Sequence, residues 1–190
     1  MNIVLASASP RRKELMEMLG VKNAVICPAR GEETIPAGAG PDEVVMALAE
    51  QKCLEVAEKF AGDDVVIAAD TVVAIDGQIL GKPRTEDEAK SMIKALSGRE
   101  HHVYTGLAVK RGESLVTEYE KTAVRFRAMT DREVEAYVSA GECMDKAGAY
   151  GIQGLAGYFI SGINGDYYNV VGLPICRLGM ILSRLGVDLI

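Results

Sequence analysis

Asp70 is the residue most in need of a chemical reason. It follows a continuous apolar run, VVIAA (65–69), and precedes Thr71 and a further apolar stretch. A carboxylate at the end of a buried strand is costly unless it is paired or binds a metal. Strand ends are also where α/β folds place their ligands. Asp70 therefore reads as a metal ligand or general base, or as a turn aspartate bonded to nearby backbone N–H groups. A second anomaly lies in LASASPRRKEL (5–15), where Arg11, Arg12 and Lys13 fall in the first turn of an expected helix. Each cation there opposes the helix dipole by ~0.3–1 kcal/mol. A bound anion reverses that sign, because free backbone N–H groups, the hydroxyls of Ser7 and Ser9 and the guanidinium forks would all point at it. The bland alternative is a solvated basic patch facing acids elsewhere. No GxxxxGK[ST] and no GxGxxG occurs, so this is not a standard phosphate loop or dinucleotide site.

Other polar residues are weaker on their own. Glu32 and Glu33 sit in a Gly- and Pro-rich stretch and read equally as solvated acids. Lys82, in Gly81-Lys82-Pro83, could reach a phosphate or be an ordinary turn lysine; Lys52 carries less signal still. Gln153, in AYGIQGLAG, could read a base edge or merely bond loop backbone. His101 and His102 open a strand, where neutral packing or solvation outweighs catalysis. Taken together, cations near an anion site, a buried carboxylate and a loop carboxylate describe metal-assisted attack on a phosphate ester.

The elements that must hold these groups follow from pattern. Residues 2–6 read as a buried strand, with Ser9 as N-cap and Pro10 at the first helical position of a helix ending at Gly20. Residues 24–27 are strand-like, 28–40 a loop, and Pro41-Asp42-Glu43 opens a second helix running to about Phe60. The strand at 65–69 is expected to stop at Asp70, and 71–80 to form a hairpin around Asp76-Gly77. Thr85 and Thr130 each begin a capping-box match, with helices ending at Gly98 and Gly141. Residues 102–110 and 114–127 read as paired strands, and Pro174 opens a last helix ending near Gly186. Eight of the 20 glycines lie between Gly141 and Gly172, a density that implies backbone turning sharply or approaching a ligand closely.

Strands and helices thus mix without strict alternation, predicting an α/β fold with a mixed sheet. The length of 190 residues suits one domain, or one domain with two lobes, and 48% hydrophobic content supports a core. A net charge of −6 argues against nucleic-acid binding by bulk charge. No apolar run approaches the ~20 residues of a membrane helix, so a cytoplasmic protein with no membrane partner is expected. Cys27, Cys53, Cys143 and Cys176 form no CxxC pair and are expected as reduced, mostly buried thiols.

LASASPRRKEL, the EET-x-P loop (32–36), AADTVV (68–73), ILGKP (79–83), LSGREHHVYTG (96–106), DKAGAYGIQG (145–154) and GDYYNVVGLP (165–174) occur in one order across nearly the whole chain. In this the sequence resembles the Maf family of small nucleoside-triphosphate pyrophosphatases, once known as septum-formation inhibitors. The resemblance implies a single domain over 1–190 of the inosine-triphosphate-pyrophosphatase kind, with an elongated mixed sheet, flanking helices and two lobes around a cleft. It implies cleavage of a nucleoside triphosphate between the α- and β-phosphates with a divalent metal, Mg²⁺ or Mn²⁺. Asp70 takes the proton-acceptor role. Arg12, Lys52 and Lys82 hold phosphates, with Ser9 at the same helix start. Glu33 and Asp70 hold the metal, and Arg12, Thr71 and Gln153 match positions tied to base choice. DKAGAYGIQG is similar to the branch acting on dTTP and UTP, and family members often form homodimers. Two rivals remain: a nucleotide-binding regulator of septum formation, and a pyrophosphatase of the same fold that prefers a purine such as 7-methyl-GTP.

Overall fold

The computed structural model describes residues 1–189. In chain order the elements are β1 (Ile3–Leu5), α1 (Pro10–Met18), β2 (Val25–Ile26), α2 (Pro41–Ala57), β3 (Val65–Ile75), β4 (Gln78–Leu80), α3 (Glu86–Leu96), β5 (Glu100–Arg111), β6 (Ser114–Phe126), α4 (Asp131–Ser139), β7 (Ile160–Asn164), α5 (Tyr167–Val171) and α6 (Ile175–Arg184). The strands form one sheet in the order β2-β1-β3-β5-β6-β7, with β4 paired to β3. β1 runs parallel to both β2 and β3, placing Val4 beside Val25 and Val66, whereas β4 is antiparallel to β3 and β7 to β6. The fold is therefore α/β with a mixed sheet, as the pattern of elements predicts. Val4, Leu5 and every residue from Val65 to Ala69 are buried, which is why these parallel strands read as unbroken apolar runs rather than as alternating ones.

The chain divides into two compact units. The first comprises Met1–Asp70, Thr105–Glu120 and Gly172 onward; the second comprises Thr71–Tyr104 and Lys121–Val171. In the first, Val4, Ala6, Val66, Ala68 and Ala108 pack against Ala49, Cys53 and Val56 of α2. Helix and sheet meet there without an intervening side chain at Gly106: a Cβ built on it would fall onto the backbone carbonyl of Val45. Gly106→Ala should therefore lower the unfolding free energy by about 3 kcal/mol, since only a shift of α2 could make room. Chemical denaturation would measure it, and a loss below about 1 kcal/mol would show that α2 can move away freely. The second unit has its own core, in which Ile93 and Leu96 of α3, Tyr137 and Val138 of α4, and Phe126, Tyr150 and Phe159 come together.

Two expectations need correction. β3 does not stop at Asp70 but continues through Thr71 to Ile75. Thr71, Val72 and Val73 are β-formers, and Asp70 and Thr71 are only half-buried, so the polar pair interrupts the burial and not the strand. The hairpin turn is where it was expected, with Asp76 and Gly77 at φ 51° and 77°, as a two-residue type I′ turn requires. The glycine-rich stretch 141–172 is also more regular than its composition implies, since it contains β7 and α5. Of the two capping boxes, Thr130 and Glu133 exchange both bonds. Thr85 accepts from the Glu88 N–H, but Glu88 turns back to the Arg84 N–H instead. All four cysteines are free; Cys53 and Cys143 are buried, Cys27 is intermediate and Cys176 is exposed, so burial is less general than expected.

Candidate active site

In the first unit, β1 delivers the chain to Ser7, 9% exposed, and then to Ser9 and α1. Pro10 occupies the first helical turn as predicted, but the Ser9 hydroxyl makes no capping bond. The Ser9 N–H instead donates to Ser7 Oγ at 3.2 Å. No acid lies in the first turn of α1 to balance its cations. Arg12 Nε donates to the Gly172 carbonyl at 2.8 Å and Nη1 to Ser7 Oγ at 3.2 Å. Burial lowers the guanidinium pKa, and the negative charge of Asp70 opposes that shift. Arg12 is thus fixed and within electrostatic reach of Asp70. Lys13 is 57% exposed and only 3.7 Å from Glu17 one turn on, the arrangement of a solvated lysine.

Helix α2 organises the rest of this unit. Cys53 is buried and donates to the Val66 carbonyl at 3.4 Å; burial pushes its thiol up to about 12, so it packs and does not react. Around it, α2 presents Gln51, Lys52 and Glu55 to loop 28–40. The Glu55 carboxylate accepts from the N–H groups of Arg30 and Gly31, both at 2.9 Å at closest. Those two backbone donors, Arg30 first, hold its carboxyl below the usual range. The Gln51 amide accepts from the Thr34 N–H at 3.0 Å and donates to the Thr34 carbonyl at 2.6 Å. Between these anchors the loop brings Glu33 Oε1 to 2.8 Å from Lys52 Nζ. On its other side the same ammonium lies 2.5 Å from Asp70 Oδ1. Lys52 and Asp70 side chains are only 19% and 15% exposed, against 52% for Glu33. Of the two adjacent acids, Glu33 is the one that meets Lys52.

This donor set has a definite character. Among the described residues no group of three His, Cys, Asp or Glu side chains is arranged to hold a metal. Two carboxylates converge on one cationic position. Two hard oxygen ligands, with neither thiolate nor imidazole, suit Mg²⁺ or Mn²⁺ rather than zinc.

The second unit holds the other candidates. Thr71 follows Asp70 along β3 and is half-buried. Lys82 is exposed, between Gly81 and the buried Pro83. The Gly81 carbonyl accepts from the Gly148 N–H at 3.0 Å, so the segments carrying Lys82 and Gln153 are joined. Gly148 is at φ +66°, and a Cβ there would come within 2.8 Å of Val73, so only glycine lets this loop lie on β3. Gln153 is exposed in a turn closed by the Gly154 N–H on the Gly151 carbonyl at 3.0 Å. Glu142 braces that turn by accepting from the Leu155 N–H at 2.9 Å. The structure therefore brings Glu33, Lys52 and Asp70 into contact in one unit with Arg12 nearby. It places Lys82 and Gln153 on adjoining segments of the other.

The model of the family described as "Maf-like protein" matches residues 2–185. The chain belongs to the Maf family. A protein from Bacillus cereus (strain B4264) named "dTTP/UTP pyrophosphatase" is 50% identical over 186 residues, which is 98% of this chain and 96% of that protein. A protein of the same name from Bacillus thuringiensis subsp. konkukian (strain 97-27) is also 50% identical, over the same shares of the two chains. Among solved structures, a HAM1 protein from Coxiella burnetii aligns with a TM-score of 0.49 at 18% identity, covering 66% of this chain and 73% of that one. A nucleoside-triphosphatase / dITP/XTP pyrophosphatase from Mycobacterium abscessus aligns over 97% of each chain, with a TM-score of 0.44 at 16% identity.

Three residues of this Maf chain matter to the site beyond the candidates singled out above, and two of them, Gln51 and Glu55, went unread in its sequence. Ser7 rather than Ser9 supplies the hydroxyl that meets Arg12. Gln51 and Glu55 tether the Glu33 loop. Ser7 was signalled by its place just past a buried strand. Gln51 and Glu55 carried only a weak signal, one on each side of Lys52 on a polar helix face.

Proposed function

We propose that this Maf protein hydrolyses dTTP and UTP to the nucleoside monophosphate and pyrophosphate. The observation that carries the reading is the ammonium of Lys52 held between the carboxylates of Glu33 and Asp70, with the Arg12 guanidinium in electrostatic reach of the same Asp70. Relatives half identical over almost the whole chain bear the name of this activity. In the reaction Asp70 accepts a proton from water as its oxygen bonds to the α-phosphorus. The bond from that phosphorus to the α–β bridging oxygen breaks, and pyrophosphate departs with the bonding pair. Arg12, Lys52 and Lys82 neutralise the triphosphate, and the start of α1 at Ser9 offers it backbone donors. Glu33 and Asp70 would hold Mg²⁺ or Mn²⁺, which supplies charge neutralisation on the phosphate oxygens. Gln153, with one amide donor and one acceptor, suits the O4/N3–H edge of uracil or thymine, and Arg12 and Thr71 complete the base choice. The whole of 1–190 serves as one catalytic domain. The four free thiols fit work in the reducing cytoplasm.

A panel of nucleoside triphosphates with product analysis tests the proposal. Pyrophosphate and the monophosphate are expected from dTTP and UTP; orthophosphate as first product, or turnover of purine nucleotides alone, refutes it. Gln153→Ala should lower the ratio of kcat/KM for UTP to that for GTP by about tenfold, the scale of one lost hydrogen bond to a base edge. An unchanged ratio would remove Gln153 from base selection.

A further inference from the structure

Lys52 occupies the place where a divalent cation would meet its two carboxylates. Its Nζ lies 2.8 Å from Glu33 Oε1 and 2.5 Å from Asp70 Oδ1. The Lys52 and Asp70 side chains are more than four-fifths buried, so these charges are poorly screened by solvent. An ammonium and a divalent cation cannot both sit against the same carboxylate oxygens without strong like-charge repulsion. The backbone of α2 cannot withdraw to relieve this, because Cys53, the next residue, is fully buried against the Val66 carbonyl. The four-carbon stem of Lys52 is flexible enough to re-aim the ammonium.

We propose that Lys52 acts as an internal counter-ion that competes with the divalent cation for Glu33 and Asp70. Without nucleotide it fills the carboxylate pair and keeps metal affinity low. A triphosphate offers the ammonium a denser set of anionic oxygens. When Lys52 turns to that triphosphate, the carboxylate pair is released and the cation is admitted. The coupling is reciprocal, so the cation in turn strengthens binding of the triphosphate. One side chain thereby links metal loading to the presence of substrate. The inference rests on the reading above that a triphosphate and a divalent cation meet at this pair.

The test is Mn²⁺ binding to the full-length, nucleotide-free protein, followed by the paramagnetic resonance signal of free Mn²⁺. Lys52→Met should bind Mn²⁺ about tenfold or more tightly than the wild type, the range of a typical coupling between sites. Lys52→Arg, which keeps the charge, should stay close to the wild type. The gain should vanish in the Lys52→Met/Asp70→Asn double variant, which locates it at this pair. Lys52→Gln, neutral and still able to donate to both carboxylates, carries the same expectation if the methionine variant does not fold. Neutral variants that bind Mn²⁺ no more tightly than the wild type overturn the proposal. Turnover separates the two levels. If wild-type hydrolysis of UTP requires Mn²⁺ while the neutral variants gain no affinity, the competition alone is wrong. If no divalent cation supports hydrolysis, the reading of the site fails and the competition with it.

Discussion

Asp70→Asn is expected to lower kcat for dTTP and UTP by about 10³-fold, within the range for removal of a positioned general base. The amide is isosteric but cannot accept a proton at neutral pH. It also withdraws one of the two carboxylates that meet at Lys52. The fold should not suffer, because Asp70 lies in the middle of an 11-residue strand whose backbone pairing is independent of its side chain. Lys52 keeps Glu33 as a partner at 2.8 Å, so the ammonium is not left bare. Nucleotide binding measured without a divalent cation should therefore survive, and removal of a negative charge beside the triphosphate tends to tighten it. The measurement pairs steady-state kcat with calorimetric binding of a non-hydrolysable UTP analogue. A loss of kcat with binding intact places Asp70 in the chemical step. If the variant retains more than about a tenth of wild-type kcat, Asp70 is not the general base. The same variant separates an enzyme from a division regulator, since a purely regulatory protein should keep its division phenotype when turnover is lost.

The sequence made the members of this site legible and left its contacts invisible, for reasons that differ by residue. Asp70 and Arg12 stood out because each breaks a local rule: a carboxylate within an apolar strand, and a cation at the wrong end of a helix dipole. Rules of that kind act within a few residues, so one chain suffices to see them broken. The meeting of Glu33, Lys52 and Asp70 joins residues 19 and 18 positions apart and depends on how loop 28–40 lies on α2. No local periodicity encodes that packing. It is fixed by Gln51 and Glu55 bonding loop backbone, and a side chain that satisfies a distant N–H looks in sequence like any solvated polar residue. The misplaced end of β3 has the opposite origin. A hydrophobic run measures burial, and burial pauses at Asp70 while hydrogen bonding continues to Ile75. Strand length was underestimated because the visible signal was the wrong physical quantity. At Gly148 the glycine density at 141–172 marks a turn, at φ +66°, whose close neighbour is the Val73 side chain. It concealed β7, whose five residues include Gly162 and whose burial is slight.

His101 carries a large pH effect on stability on the acid side of neutrality. It lies in β5 with no solvent exposure. Its ring stands edge-on to Phe126 and Tyr150, with centroids 5.2 and 5.3 Å away. Nε2 is 2.8 Å from the Tyr150 hydroxyl, while Nδ1 has no hydrogen-bond partner among the described residues. Burial, and then the charge of His102, push the imidazole pKa down to about 4, with Glu100 opposing weakly. In the unfolded chain the same ring titrates near its ordinary value of about 6.5. Between these values the unfolded state holds a proton that the folded state does not, so stability rises with pH across that window. The contribution is therefore intact above pH ~6.5 and is lost progressively as pH falls toward 4, to a total of about 3 kcal/mol. Urea unfolding from pH 7.5 down to 4 would measure the slope. His101→Phe should flatten it by close to one proton over this interval. That variant leaves the Tyr150 hydroxyl unpaired and so lowers stability by a fixed amount. Burial pushes the Tyr150 pKa up, away from this range, so the offset does not vary with pH and the slope isolates the histidine. An unchanged slope in His101→Phe would mean that His101 accepts its proton inside the core, and that the acid lability of the fold lies in its carboxylates instead.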